Sequence, residues 1–293
     1  MNIRYRELLY YFFVRIPARL KGRFCRNHVR MHWGRGLNNF GDCLQPLIAK
    51  YYGMTPEYVP SSFNSDIILQ GTILQWLNND YAGIIAGSGA DEVELDFPMA
   101  QVIGVRGALT KERIRSASED VVYGDPGLLM PFIKSYPRTN EYDLGIIPHF
   151  CDKSDVIIKA FIENNPELRI IEIDVLSHPL SVCKMLNRCK YILSSSLHGL
   201  IIADAYDVPN LRFTISKNRL NPHDSYKFDD YYSAFRKCKR NNHVCIELSG
   251  NEGWCDIKNK FVSNYNEVHS LMIELERTLR DCFKKIRMSK YGK

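Results

Sequence analysis

The sequence is short of several things, and each shortage excludes a class of protein. It holds no apolar run of about 20 residues, so no segment reads as a membrane-spanning helix. The longest candidate, Leu8–Ile16, is interrupted by Arg15 and followed by Pro17, and no small-residue cleavage site follows it. A signal peptide is therefore not expected, while an amphipathic segment lying in an interface fits. The nine cysteines are odd in number and contain no C-x-x-C pair, which fits reduced thiols in a cytoplasmic protein rather than a disulfide scaffold. Cys238, His243, Cys245 and Cys255 cluster late in the chain, but their spacings match no zinc pattern. No internal repeat, low-complexity tract or G-x-S-x-G elbow is present. The net charge of +6 is too mild to indicate nucleic acid.

What charge there is gathers at the two ends. Residues 1–30 carry Arg4, Arg6, Arg15, Arg19, Lys21, Arg23, Arg26 and Arg30 against the single acid Glu7. The last stretch carries Arg277, Arg280, Lys284, Lys285, Arg287, Lys290 and Lys293 against Asp281. Two readings are open, solvated helix faces or contact with an anionic membrane surface. The second places the protein in the cytoplasm, peripheral on the inner face of the membrane.

Between these ends, short apolar runs alternate with amphipathic stretches, the pattern of βα units around parallel sheets. Strands are predicted at Val29–Trp33, Asp66–Gln70, Gly83–Ala86, Gln101–Val105, Val121–Tyr123, Leu144–Ile147, Arg169–Ile173, Tyr191–Ser194 and Asn210–Thr214. Helices are predicted at Asp42–Tyr52, Ala108–Arg115, Lys153–Asn164, Pro179–Arg188 and Leu200–Tyr206, with a long final one near Tyr265–Lys285. The polar, proline-containing stretch 134–143 divides the units into two sets. Two α/β domains are thus expected, residues 1–136 with a basic segment 1–28, and residues 137–293. Open α/β sheets bind ligands beyond the carboxyl ends of their strands, so strand-to-helix turns carry the most weight.

Four such turns contain chemistry-bearing residues. In WGRGLNNFGD (33–42), Asn39 and Asp42 suit either a helix cap or a sugar hydroxyl. In Gly104-Val105-Arg106-Gly107 a guanidinium stands beside a helix start, where a phosphate or carboxylate would be held; the plainer reading is an arginine paired to a nearby acid. Asp125, between Gly124 and Pro126, is a turn residue or a base toward a hydroxyl. In Ser194-Ser195-Ser196-Leu197-His198-Gly199, serines and a histidine meet an apolar helix, as capping groups or as an anion seat with a proton donor. His149 follows another strand end and can face the same cleft. The acidic pair Asp229-Asp230 reads as solvated helix residues rather than metal ligands, and no metal or cofactor is expected.

These turns, in this order, resemble the polysaccharide pyruvyl transferase family. The matching pieces over residues 29–236 are NNFGD (38–42), DIILQGTIL (66–74), GSG (87–89), VRGALT (105–110), GDPGLLMP (124–131), IIPH (146–149), SSSLHGLIIADAYDVP (194–209) and KFDDYY (227–232). Gly127 stands where the family motif has alanine. The resemblance implies two Rossmann-like domains in a GT-B-like arrangement with a central cleft. It implies phosphoenolpyruvate as donor and a glycan or lipid-linked oligosaccharide as acceptor. It further implies that Arg106 and the pair Leu197–His198 hold phosphoenolpyruvate. On this reading Arg106 and the helix start at Ser195, Ser196 and His198 take the two anionic groups of the donor, and Asn39 and Asp42 face the acceptor. His198 or His149 is the acid, and Asp125 or Asp42 the base. The alternatives are a GT-B-like glycosyltransferase using a nucleotide sugar and a non-catalytic glycan-binding or assembly protein.

Overall fold

The computed structural model describes residues 3–34, 39–215, 225–235 and 244–291. Asn38, Cys238, His243 and Lys293 lie outside them. Eleven strands appear among the described residues, and every pairing between them is parallel. They are β1 (His28–Met31), β2 (Thr55–Tyr58), β3 (Ile67–Ile68), β4 (Ile84–Ala86), β5 (Gln101–Val105), β6 (Val122–Tyr123), β7 (Tyr142–Ile147), β8 (Ile170–Glu172), β9 (Cys189–Ser194), β10 (Asn210–Thr214) and β11 (Cys245–Glu247). The principal helices are α1 (Ile3–Tyr10), α2 (Ile16–Phe24), α3 (Gln45–Tyr51), α4 (Ala108–Arg113), α5 (Met130–Ile133), α6 (Val156–Glu163), α7 (Pro179–Leu186), α8 (Leu197–Ala205), α9 (Tyr226–Ser233), α10 (Trp254–Ile257) and α11 (Tyr265–Tyr291).

The strands before the polar stretch form a pair β1-β2 and a sheet of order β3-β4-β5-β6. The Asp66 amide donates to the Arg30 carbonyl at 2.8 Å and joins the two at the β1/β3 seam. The strands after it form one sheet of order β11-β10-β9-β7-β8. The apolar ends of β7 (residues 144–147) and β9 (residues 192–194) are buried on both faces, as parallel strands covered by helices must be. In both halves the second strand lies outside the first and the third lies on its other side. The order therefore reverses between β1 and β3, and again between β7 and β9, and a crevice opens beyond the strand ends at each point.

Helix α8 explains how the two sheets are held together. Its sequence, LHGLIIADA, is apolar nearly all round, and all nine of its residues are buried. A helix with no polar face must be covered on every side. Its Ile202 and Ala203 join a core with Val29, Ile48 and Ile67 from the first half and Ile147 and Ile192 from the second. Helix α11 returns to the first half. Leu275, Leu279, Cys282, Phe283 and Ile286 enter that same core, and the Phe283 ring stacks on Tyr52 at 5.0 Å.

All nine predicted strands occur. The two that the sequence pattern does not reveal, β2 and β11, are sheet edges. β2 contains Pro56, which lacks a ladder donor and belongs at an edge; β11 is only three residues long. Helix α8 begins at Leu197, not Leu200, so Leu197 and His198 lie inside its first turn. The solvated reading of Asp230 does not hold. Its side chain is 0% exposed and lies against Arg106, because α9 packs its acidic edge onto the start of α4 rather than toward water.

Candidate functional site

The two crevices face a common cavity of about 330 Å³. The β1 end contributes His32 and Trp33, and the β3 end contributes Gln70, Gly71 and Thr72. Asn39, Asp42 and Gln45 border it from the turn into α3, His149 and Phe150 from the β7 end, and Lys227 from α9. Asn39 Oδ1 accepts from the Gly41 amide at 3.1 Å, and the backbone of Asn39 accepts from Cys43, so this residue shapes the turn that presents Asp42.

Behind Asp42 lies a buried pair. His198 Nε2 stands 3.6 Å from Asp125 Oδ2, beyond hydrogen-bond length, and neither atom has a hydrogen-bond partner among the described residues. Asp125 Oδ1 is fully engaged, accepting from Gln70 Nε2 and the Gly127 amide, each at 2.8 Å. The second bond caps the short 3₁₀ turn Pro126–Leu129, so Asp125 is a turn residue and also the histidine's counter-charge. Gly41 fixes the imidazole from the other side. A Cβ there would lie 2.1 Å from His198 Cγ and Nδ1, so only glycine lets the chain pass so close.

The electrostatics follow from this stacking of charges. Burial works against the His198 imidazolium, but the charges of Asp125 and Asp42 outweigh it, and its pKa lies above the usual histidine range. Burial also works against the Asp125 carboxylate, yet His198 and the donors from Gln70 and Gly127 hold its pKa below the usual range. For Asp42 burial wins, and its pKa is raised despite His198. Two carboxyl groups near one imidazole are thereby pushed in opposite directions, the arrangement that separates acid from base roles.

Arg106 sits behind the cavity wall, 1% exposed. Its Nη1 donates to Thr72 Oγ1 at 2.8 Å, and Thr72 lines the cavity. Its Nε donates to Asp230 Oδ2 at 2.8 Å, while its buried Nη2 has no hydrogen-bond partner among the described residues. Asp230 also accepts from the Thr110 amide at 2.7 Å and the Thr110 hydroxyl at 2.8 Å. It thus caps α4 from a distant helix, where the N-cap Gly107 has no side chain to do so. A Cβ on Gly107 would lie 1.7 Å from the Asp230 carbonyl oxygen, which gives the VRG motif its glycine.

The serines staple the second crevice. Ser195 Oγ accepts from the His149 amide at 2.8 Å and donates to Asp152 at 2.6 Å. Ser194 Oγ donates to the Ile147 carbonyl at 2.9 Å and accepts from the Ser196 amide at 3.0 Å. Ser196 is the N-cap of α8 with no side-chain cap bond, and Leu197 packs with Leu128 and Tyr231 rather than in the cavity lining. Asn39, Asp42 and His149 therefore meet at the cavity, His198 and Asp125 lie behind Asp42, and Arg106 lies behind Thr72. Gln70, Thr72 and Lys227 were not singled out from sequence, although Gln70-Gly71-Thr72 is a polar turn at a strand end and had the same signal as the others.

Parallel sheets with a shared cavity at two reversals of strand order, and a buried carboxylate–imidazole pair beside it, define an α/β protein with titratable groups at its crevice. Comparison with known sequences makes this specific: the sequence model of the polysaccharide pyruvyl transferase family matches residues 9–217, and the chain belongs to that family. The chain is also 34% identical over 137 residues to the uncharacterized protein L143 of Acanthamoeba polyphaga mimivirus. That match spans 45% of this chain and 47% of the viral protein, about half the length of each. A functionally uncharacterized protein of Klebsiella pneumoniae of known crystal structure aligns over 84% of this chain and 98% of its own, at 13% identity and a TM-score of 0.39, too distant to carry an argument.

Proposed function

We propose that the chain moves the enolpyruvyl carbons of phosphoenolpyruvate onto two hydroxyls of a glycan or lipid-linked oligosaccharide, forming a pyruvate ketal. The observation that carries this reading is the Asp42–His198–Asp125 stack at the wall of a cavity that also holds a cation, Lys227, and the Thr72–Arg106 pair. Phosphoenolpyruvate bears a phosphate and a carboxylate, and this end of the cavity supplies the positive charge and donors that both need.

Chemistry then requires three proton movements, one onto carbon and one from each hydroxyl. Protonation of the methylene carbon makes a methyl group and builds positive character on the adjacent carbon. A sugar hydroxyl adds there and gives up its proton. A second hydroxyl of the same sugar displaces inorganic phosphate and closes the ketal, releasing a second proton. We assign Asp42, backed by His198 and Asp125, to the hydroxyl proton, and His149 across the cavity to the methylene. In this reading the two sheets are two Rossmann-like domains, divided near residue 136, in a GT-B-like arrangement with the cavity as their cleft.

Calorimetry of the purified chain with phosphoenolpyruvate and with nucleotide sugars tests the donor, and phosphate release with a glycan acceptor tests the reaction. Binding of phosphoenolpyruvate at millimolar levels or below, weakened in Lys227→Ala, is the expected result. Heat with a nucleotide sugar and none with phosphoenolpyruvate would replace this reading with glycosyl transfer.

A further inference from the structure

The first helical segment carries an exposed apolar stripe that the proposed reaction does not use. Tyr5, Leu8 and Phe12 are exposed at spacings of three and four, and Phe13, Pro17, Leu20 and Phe24 at four, three and four. These are the spacings of one helix face. The single-residue step between Phe12 and Phe13 falls inside a π-helical turn, Tyr11–Arg15, whose wider turn accommodates one extra residue. The two half-stripes are thereby kept in line along α1 and α2. Phe13 is 75% and Phe24 88% exposed, values at which burying a large apolar side chain has most to gain.

The opposite face is anchored. Arg15 is buried over the rings of Tyr10 and Tyr58, at 5.5 and 5.1 Å. Gly22 lies so close to β2 that a Cβ would fall 2.4 Å from Glu57 Cβ. The stripe thus points away from the body of the protein. At about 100° per residue, Lys21 and Arg23 fall on either flank of it, and Arg19 and Arg26 are also exposed. The basic end of α11 lies on the same side. A Cβ on Gly53 would be 3.7 Å from Arg287 Nη1, and the Gly53 carbonyl accepts from Asn27 at 2.6 Å, just past the end of α2.

The geometry points to an anionic lipid bilayer surface as the partner of this face, with α1 and α2 lying in the interface, aromatic rings inserted and the flanking cations against headgroups. No described helix is long and apolar enough to cross a membrane, so the contact is one of lying on the surface. The site is close at hand: Trp33 Nε1 donates to the Tyr10 hydroxyl at 3.2 Å, and Trp33 lines the cavity. The inference deepens the proposed function by favouring an acceptor held in that surface, and to that extent rests on it.

Co-sedimentation of the full chain with vesicles tests the surface without any donor or acceptor, so its failure is separate from failure of pyruvyl transfer. The chain should bind phosphatidylcholine vesicles containing phosphatidylglycerol at least about tenfold more tightly than phosphatidylcholine alone, and added salt should weaken it. Phe12→Ser with Phe13→Ser, and separately Lys21→Glu with Arg23→Glu, should each weaken binding about tenfold or more at an unchanged thermal midpoint. Phe24→Trp, at a position too exposed to disturb folding, should show blue-shifted emission on adding the anionic vesicles. Equal binding to both vesicle types, no binding, or an unshifted Phe24→Trp emission would overturn the proposal. So would a dimer in sedimentation equilibrium that the Phe12/Phe13 variant abolishes, which would give the stripe to a second copy of the chain.

Discussion

Two buried ion pairs lie behind the cavity wall, and they are built differently. In Arg106–Asp230 the ions meet at 2.8 Å, and the acid takes two further bonds from Thr110. In His198–Asp125 the facing atoms stand 3.6 Å apart with no hydrogen-bond partner among the described residues. A buried carboxylate with its acceptor capacity met is a structural tie, and removing one side leaves an uncompensated charge. A pair held apart keeps an unmet donor and acceptor in low dielectric, a costly arrangement unless something else uses it. The first pair joins α9 to the start of α4; the second sits behind Asp42, the carboxyl group that borders the cavity at the turn into α3. If the proposed reaction holds, the first pair serves mainly stability and the second mainly chemistry.

The contrast can be broken most sharply at the histidine. His198→Gln should lower turnover by about 10²–10⁴-fold while shifting the denaturant midpoint less than Asp230→Ala does, as steady-state phosphate release and urea unfolding would show. Asp230→Ala should do the reverse and destabilise the fold by about 3–5 kcal/mol, read from the same unfolding curves. If Asp230→Ala is fully stable, the tie has been misread. A smaller effect is expected from Gly41→Ala. Its backbone, at φ −58°, accepts alanine, so the cost of about 1–3 kcal/mol comes only from displacing His198. Turnover should fall with the imidazole chemically intact.

The smallest effect is in the pH dependence of stability. His198 has a raised pKa, so its contribution is full below the unfolded value of about 6.5 and is lost as pH rises through the folded one. Asp125 has a lowered pKa, so its contribution is full above about 3.9 and is lost as pH falls through the folded one. The difference in unfolding free energy between the parent and His198→Gln should be widest between those two values and narrow above them. A difference flat across that range would mean that the pair carries no charge coupling.

What was legible in the sequence was whatever had a local signature. Buried parallel strands wrote themselves as apolar runs, and Asn39, Asp42 and His149 could be placed at the cavity because strand ends point to it. What was illegible depended on long-range partners. Asp230 looked solvated because Arg106 is 124 residues away, and nothing in FDDY announces it. Arg106 left two readings open, a ligand-facing cation or an arginine paired to an acid, because neither Thr72 nor Asp230 can be seen from sequence to close around it. Gly107 matched a motif, but its reason, the Asp230 backbone lying against it, exists only in three dimensions. The edge strand TPEY hid behind a proline and an acid.

The return of α11 to the first half has a consequence for the order in which the chain can be made. Leu275, Leu279, Phe283 and Ile286 complete a core whose other members include Val29, Met31 and Ile48. During synthesis, the first half leaves the ribosome well before these side chains exist, at about 5–20 residues per second. Its apolar surface stays uncovered over that interval, so a nascent first half should be held by chaperones or remain loosely packed until the end of the chain emerges. Ribosome-bound chains stopped before residue 265 should be digested by protease across the β1–β6 region, and chains carried past residue 291 with a linker should be protected there.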